Sequence, residues 1–239
     1  MDNISDTGER IIPGKTSSLM FSRHFRAYEI AKDYIRDKTV LEIGCGEGYG
    51  AHYLSGFCKN ITGIDYNAEV VLYAKNKYTR DNLAYRTVKA ENLSAVLKQK
   101  FDVIVSFQVI EHIEDTAVFL ETVKSLLNDN GMFICSTPNR LDASPDLDTP
   151  ANRFHVREFL ADEYCDLLKR HFKEVKVIGL KRGKLLNFYR RLKKTGIFNF
   201  LPLFLDPVKK FYSCISSKHF TEVEGGLETA LDFIAFCGK

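Results

Sequence analysis

The stretch Val40-Leu41-Glu42-Ile43-Gly44-Cys45-Gly46-Glu47-Gly48-Tyr49-Gly50 constrains this chain more than any other. A short apolar run carrying one acid breaks into glycines at alternate positions. Seventeen residues past Gly48, the run Ile61-Thr62-Gly63-Ile64 ends on Asp65. The first part reads as a buried parallel strand and the glycines as the turn at its carboxyl end. Glycine tolerates positive φ and lets a ligand lie against bare backbone. An acid closing the next strand can accept hydrogen bonds from the two hydroxyls of a ribose. Strand, glycine turn, helix, strand, acid is the order in which an open α/β sheet holds a nucleoside at its switch point.

A dinucleotide fingerprint requires glycines at the first, third and sixth positions. Counted from Gly44 the sixth position is Tyr49, and counted from Gly46 it is Ala51, so that fingerprint is absent. The pattern present is GxGxG.

The rest of the chain extends the same alternation. Apolar residues at helical spacing from Ser22 to Lys38 predict a helix ahead of strand one, Thr39–Ile43. A helix from about Tyr49 to Phe57, strand two at Asn60–Ile64, a helix through Val70 and Ala74, and strand three at Ala84–Val88 follow. Phe101–Ser106, unbroken and β-branched, reads as a central parallel strand. A helix over Ala117–Leu127, strand five at Gly131–Ser136, a helix over Arg157–Arg170 and strand six at Val175–Leu180 complete the body, with a final strand in 230–237. Pro138–Arg153, with three prolines and three aspartates, reads as a long functional loop.

Residues 181–220 stand apart. They hold ten Lys or Arg against one acid, Asp206, and eight Phe or Tyr. That surplus of nine, in a chain of net charge +3, leaves −6 on the remainder, so the small net charge hides a polarised molecule. Lys184–Lys194 reads as an amphipathic helix. The segment fits a lid with its charges in water, an interfacial contact with anionic lipid, or a nucleic-acid footprint.

Six scattered cysteines in mostly apolar contexts read as reduced thiols, and the polar, acidic start is unlike a signal peptide. No apolar run approaches the roughly twenty residues needed to span a bilayer. The expected location is the cytoplasm, with peripheral contact at the inner face of the membrane through 181–220 as a variant. No Gly-x-Ser-x-Gly, Walker loop or metal-ligand spacing occurs, which leaves hydrolase, phosphoryl-transfer and metal readings without support.

With these motifs, residues 39–136 resemble the core of the class I S-adenosylmethionine (SAM) methyltransferases. The tract 138–180, with Thr137-Pro138-Asn139-Arg140 and Phe154-His155-Val156-Arg157-Glu158-Phe159, looks like the branch linked to quinone and cell-surface saccharide biosynthesis. The resemblance implies a Rossmann-like, doubly wound, mostly parallel sheet of seven strands in the order 3-2-1-4-5-7-6, with the basic segment inserted between strands six and seven. It divides the chain into a covering segment (1–38), a SAM-binding core (39–180), the insertion (181–225) and a final strand (226–239).

The resemblance also assigns roles. Gly44, Cys45, Gly46 and Gly48 match the loop along the methionine part of SAM, and Glu42 the acid near its amino group or beneath that loop. Asp65 matches the ribose acid, Tyr66 lies against adenine, and Ala90-Glu91 match the adenine-edge segment, although Lys89 stands where the family often has Asp. Gln108 and Val109 match backbone contacts to SAM, and Tyr28 the residue closing over it from the amino-terminal helix. His112 matches the position facing the transferable methyl, as a general base or as a group that positions substrate. Glu111 is expected to cap the next helix or orient His112, and His155 to be a hinge residue. The implied activity is SAM-dependent O-methylation of a saccharide, a lipid-linked intermediate or another hydroxylated metabolite. An RNA methyltransferase and a non-catalytic SAM- or partner-binding module are the alternatives. RNA is the less expected partner, because the Asn/Asp-Pro-Pro-aromatic signature of base-amino methylators is missing after strand four.

Overall fold

A computed structural model describes residues 10–89, 92–198, 200–202 and 205–239. The chain begins with helix α1 (Ser18–Ala31), capped by the Ser17 hydroxyl, which accepts from the Met20 N–H. Strand and helix then alternate as β1 (Thr39–Ile43), α2 (Tyr49–Leu54), β2 (Asn60–Asp65), α3 (Ala68–Lys77), β3 (Leu83–Thr87), α4 (Leu93–Val96), β4 (Phe101–Phe107), α5 (Thr116–Leu126) and β5 (Leu127–Pro138). After the short α6 (Arg140–Ala143) come α7 (Ala161–Lys169), β6 (Glu174–Arg182), α8 (Lys184–Thr195), α9 (Pro207–Ser213), β7 (Phe220–Val223) and β8 (Asp232–Gly238).

The strands form one sheet in the order β3-β2-β1-β4-β5-β8-β6-β7. The first five pair in parallel, and β8 runs antiparallel between β5 and β6. The seven expected strands thus keep their expected order, and an eighth is added. The end of the basic insertion supplies it: β7 pairs with β6 from Gly179↔Val223 to Arg182↔Phe220, so the insertion returns to the sheet as an edge strand.

Successive residues serve opposite faces, as the pleat requires. Val40, Val103, Val105, Ile134 and Ile234 pack under α1, α2 and α3 with Tyr28, Ala31, Ala51, Leu54 and Val71. Their neighbours Leu41, Ile104, Phe133 and Phe233 pack on the other face with Leu120, Tyr164 and Leu168. Both faces are covered, which is why the strands read as unbroken apolar runs.

Several boundaries differ from expectation for local reasons. The helix expected over Arg157–Arg170 starts at Ala161, because the Leu160 N–H donates to Glu163 Oε2 at 3.1 Å, while Phe159 pairs with Asn139 as an extended bridge. Strand β5 already pairs at Leu127 with Phe101, and Asn128–Gly131 bulge before pairing resumes at Met132↔Val103. Asp102 takes up that irregularity, accepting from Asn128 Nδ2 (2.8 Å) and the Thr39 N–H (2.9 Å). Among the described residues no helix is long and apolar enough to cross a membrane.

Helix α1 lies against α2 through an aromatic set in which Tyr28 and Tyr49 approach at 5.7 Å and Tyr28 meets Phe107 edge-on at 4.8 Å. The Tyr28 ring sits directly on Gly50, where any Cβ would collide with it. Gly50→Ala is therefore expected to lower unfolding free energy in urea by about 1–3 kcal/mol, the range for overpacked cores. Gly225→Ala, where a Cβ meets open space, is expected to leave it unchanged. Equal stability of the two variants would contradict this packing.

Candidate functional site

The carboxyl ends of the parallel strands surround a cavity of about 890 Å³, a size typical of small-molecule sites. The loop leaving β1 forms one wall. Its first two N–H groups, Gly44 and Cys45, both donate to the Ile64 carbonyl at the end of β2 (2.8 and 2.9 Å). Gly46 N–H donates to Asp65 Oδ2 at 3.0 Å. Gly44, Gly46 and Gly48 all hold positive φ (76°, 49° and 85°), and a Cβ on Gly44 would also strike Val109.

Asp65 is buried, and its second oxygen accepts from Asn67 N–H at 3.0 Å. It is not the cap of α3. Asn67 fills that role, accepting from Glu69 and Val70 N–H. Each carboxylate oxygen can accept more than one bond, so Asp65 can hold the loop and still face a ligand.

Asp65, Tyr66, Gly44, Cys45, Gly46, Gln108, Val109, Tyr28 and His112 all line the cavity. Glu42 and Gly48 do not. Glu42 lies beneath the loop, where its Oε1 accepts the Tyr28 hydroxyl at 2.7 Å. Gly48 is held by its carbonyl, which accepts from the Tyr85 hydroxyl at 2.7 Å. Tyr28 thus lines the cavity with its hydroxyl fixed to Glu42. The adenine-edge assignment of Ala90 and Glu91 lies outside the described residues, although Val88 and Lys89 before them line the cavity. Gln108 has φ 55°, the left-handed region, and is held there by its N–H to the Ser136 carbonyl (3.0 Å) and Nε2 to Ser136 Oγ (3.2 Å).

Opposite the glycine loop stands a group of three. His112 Nδ1 lies 2.8 Å from the Phe154 carbonyl, which can only accept, so the hydrogen-bond network puts the proton on Nδ1 and the lone pair of the neutral ring on Nε2. The His155 ring meets it edge-on at 5.0 Å. Asn152 Oδ1 accepts from the Phe154 N–H, so its amide nitrogen donates to His155 Nε2 (2.9 Å), and His155 Nδ1–H donates to Glu158 Oε1 (2.7 Å). His155 is therefore a wall residue in a fixed tautomer, where a hinge was expected.

Glu111 neither caps the next helix nor bonds His112 in the hydrogen bonds described. Asp115 is the cap of α5, and Glu111 is fully buried with Oε2 accepting from Thr137 Oγ1 at 3.2 Å. Glu111, His112 and His155 bring ligand-type atoms within 4.8 Å of one another, but both His155 nitrogens are already engaged by Asn152 and Glu158. Positions 111, 112 and 155 have no metal-like spacing, so this proximity was not readable in the sequence.

Burial governs the electrostatics here. It pushes the Glu42 carboxyl up to about 8, with Asp65 adding to the rise and the Tyr28 hydrogen bond opposing it. It pushes Glu111 up to about 8 as well. His24, also on the cavity wall, is driven down to about 4, so its ring is neutral near pH 7. Burial raises the Cys45 thiol well above its usual range, which makes it a packing group and not a nucleophile. One oxygen each of Glu42 (Oε2), Glu111 (Oε1) and Glu158 (Oε2) is buried without a hydrogen-bond partner.

One charged part of the cavity wall was not readable in the sequence. Arg23 binds Asp232 through both carboxylate oxygens (2.6 and 2.7 Å) and Asp142 at 3.4 Å, joining α1 to the start of β8 and to α6. The only signal was an acid, Asp232, at the edge of an apolar run. Among the described residues of 181–220, none lines the cavity.

Residues 21–191 match the family model described as a methyltransferase domain. The chain is 38% identical over 179 residues to a probable S-adenosylmethionine-dependent methyltransferase of Mycolicibacterium smegmatis, covering 74% of this chain and 68% of that protein. A probable S-adenosylmethionine-dependent methyltransferase of Mycobacterium tuberculosis is 37% identical with 64% of its length covered, so the chain spans about two thirds of these relatives. A ubiquinone biosynthesis O-methyltransferase of Glaesserella parasuis is 33% identical over 45% of this chain and 51% of its own. Among solved structures, a SAM-dependent methyltransferase of Thermotoga maritima, titled a possible histamine N-methyltransferase, superposes with TM-score 0.62 at 18% identity, over 91% of this chain and 89% of that one. The N-methyltransferase NodS of Bradyrhizobium japonicum in complex with S-adenosylhomocysteine gives 0.58 at 15%, over 94% and 89%. These structural likenesses establish the fold.

The buried acids set the expected pH dependence. A carboxyl whose pKa is about 8 when folded and near 4.5 when unfolded binds more protons in the folded state between those values. Stability therefore falls as pH rises through that window, by at most about 1.4 kcal/mol per unit for each group. His24 acts on the acid side, where stability falls as pH drops from 6.5 towards 4. Melting curves should show Glu111→Gln gaining stability relative to the parent chain between pH 5 and pH 8. A pH-independent difference would contradict a buried neutral Glu111.

Proposed function

The chain belongs to the methyltransferase-domain family, and we propose that it transfers the methyl group of S-adenosylmethionine to a hydroxyl of a saccharide, a lipid-linked intermediate or another hydroxylated metabolite. The observation that carries this reading is that the glycine loop, Asp65 and His112 open onto one cavity.

The residues fit that cofactor on their own terms. The loop exposes backbone at positive φ, and Gly44, Cys45 and Gly46 face the cavity. Tyr28, Tyr49 and Phe107 line the cavity with aromatic rings, whose faces attract a sulfonium cation. Gly44, Cys45 and Gly46 would hold the methionine part, Asp65 the ribose and Tyr66 the adenine, with Gln108 and Val109 contributing backbone. When bound, S-adenosylmethionine supplies a methyl group on positively charged sulfur, activated for in-line displacement by an oxygen nucleophile.

The protein's own work is alignment and proton handling. His112 is held through Nδ1 by the Phe154 carbonyl, so Nε2 is the atom that takes the acceptor proton. Phe154 is itself held by its N–H to Asn152, whose amide also fixes His155, so the base and its neighbour share one scaffold. Arg23, locked on Asp232, and Asp142 give part of the cavity wall the polar character that a hydroxylated acceptor requires. Distant likeness to ubiquinone biosynthesis O-methyltransferases supports oxygen as the methylated atom.

The test is incubation with methyl-labelled S-adenosylmethionine and fractionated lipid and saccharide extracts. Label is expected in a hydroxyl-bearing fraction as an alkali-stable methyl ether. His112→Ala is expected to lower turnover roughly a hundredfold or more with cofactor affinity unchanged. A loss confined to acceptor KM would make His112 a positioning residue, and unchanged kinetics would remove it from the reaction.

A further inference from the structure

Helix α8 presents two faces with different fates. Residues three and four apart share a side of a helix. Leu186, Tyr189 and Lys193 face α9: Leu186 is buried, the half-buried Tyr189 ring stacks on Phe211 at 4.0 Å, and the exposed Lys193 ammonium sits over the Tyr212 ring at 4.8 Å. Those contacts fix α8 against α9. Leu185, Phe188 and Leu192 share the adjacent side, and there Leu185 is 52% and Phe188 57% exposed. The turn after the helix continues the apolar surface with Ile197, 57% exposed, and Phe200, 80% exposed.

Charge borders this stripe. Lys184, Arg191 and Lys194 are exposed on its flank, and with Arg190 they form no ion pair among the described residues. Such a stripe of large apolar side chains is unfavourable in water and marks an interaction surface. Its chemistry selects the partner. Leu185, Leu192 and Ile197 gain from hydrocarbon but cannot stack on bases as an RNA surface requires. A basic border around an exposed apolar ridge on one helix matches the interface of an anionic bilayer, with the ridge below the headgroups and the cations among them.

We propose that α8 and the turn after it form a docking surface for an anionic membrane leaflet. The surface adjoins the candidate active site. Arg182, two residues before the helix, hydrogen-bonds Asp142 of the cavity wall at 3.3 Å. The same appendage is joined to α1, the helix beside the cavity, by Ser22 Oγ donating to the Ile215 carbonyl at 3.2 Å. Docking would hold the cavity mouth close to an acceptor carried on a lipid, which deepens the proposed function but does not depend on it.

The chain contains no Trp, so Phe188→Trp places a single indole in the stripe. It is tested with vesicles of neutral phosphatidylcholine and with vesicles in which roughly a third of the lipid is phosphatidylglycerol. At low salt, emission is expected to shift to the blue and the protein to float with the anionic vesicles only. Lys184→Gln/Arg191→Gln/Lys194→Gln is expected to weaken binding at least tenfold. Leu185→Glu/Phe188→Glu is expected to abolish flotation while an unchanged affinity for S-adenosylhomocysteine shows the core intact. No blue shift and no flotation of the parent chain at low salt would overturn the proposal. So would flotation undiminished in the double variant, or retention on RNA without vesicle binding. Failure of methyl transfer, in contrast, would leave the vesicle result standing.

Discussion

One tie organises the site: the end of β2 grips the loop that leaves β1. The Ile64 carbonyl takes two successive N–H groups, from Gly44 and Cys45, and the Asp65 carboxylate takes the third, from Gly46. Three backbone donors that would otherwise be orphaned at a strand end are satisfied at once. The loop can follow this path only with three residues at positive φ, so the glycines and Asp65 form a single requirement. With the loop in place, Gly44 and Gly46 face the cavity, and Asp65 lines it held in one orientation by the Gly46 and Asn67 N–H groups.

The remainder of the site is built against that loop. Tyr28 from α1 crosses to Glu42 on β1 and lies on Gly50 of α2, so the covering helix is bolted to the strand that launches the loop. Across the cavity, the Phe154 carbonyl orients His112, and Asn152 with Glu158 orients His155. The cost is a set of buried carboxyls held largely protonated, Glu42 and Glu111. Positive charge brought close to such a group favours its ionised form.

Much of the fold was legible because its cause is local. Unbroken β-branched runs such as Phe101–Ser106 signal strands covered on both faces, and the glycine spacing with Asp65 signals the nucleoside loop. What escaped was set by distant partners. β7 is a four-residue edge strand that exists only because β6 offers it a ladder. The late start of α7 depends on Glu163 reaching the Leu160 N–H, and the early pairing of β5 on a bulge that Asp102 and Asn128 accommodate. In the site, the glycine loop and Asp65 were readable because one βαβ unit contains them. His155 beside His112 and Arg23 on Asp232 join residues far apart in sequence, and no period or spacing encodes those meetings.

The central claim is that the loop held by Asp65 is a nucleoside site for a sulfonium cofactor. Calorimetric titration of the intact chain with S-adenosylhomocysteine tests it without any knowledge of the acceptor. Saturable binding is expected, with no heat from NAD. Asp65→Ala is expected to weaken binding by about 1–3 kcal/mol, the scale of hydrogen bonds left unmade in a buried site. Equal binding of NAD, or full affinity in Asp65→Ala, would contradict the account.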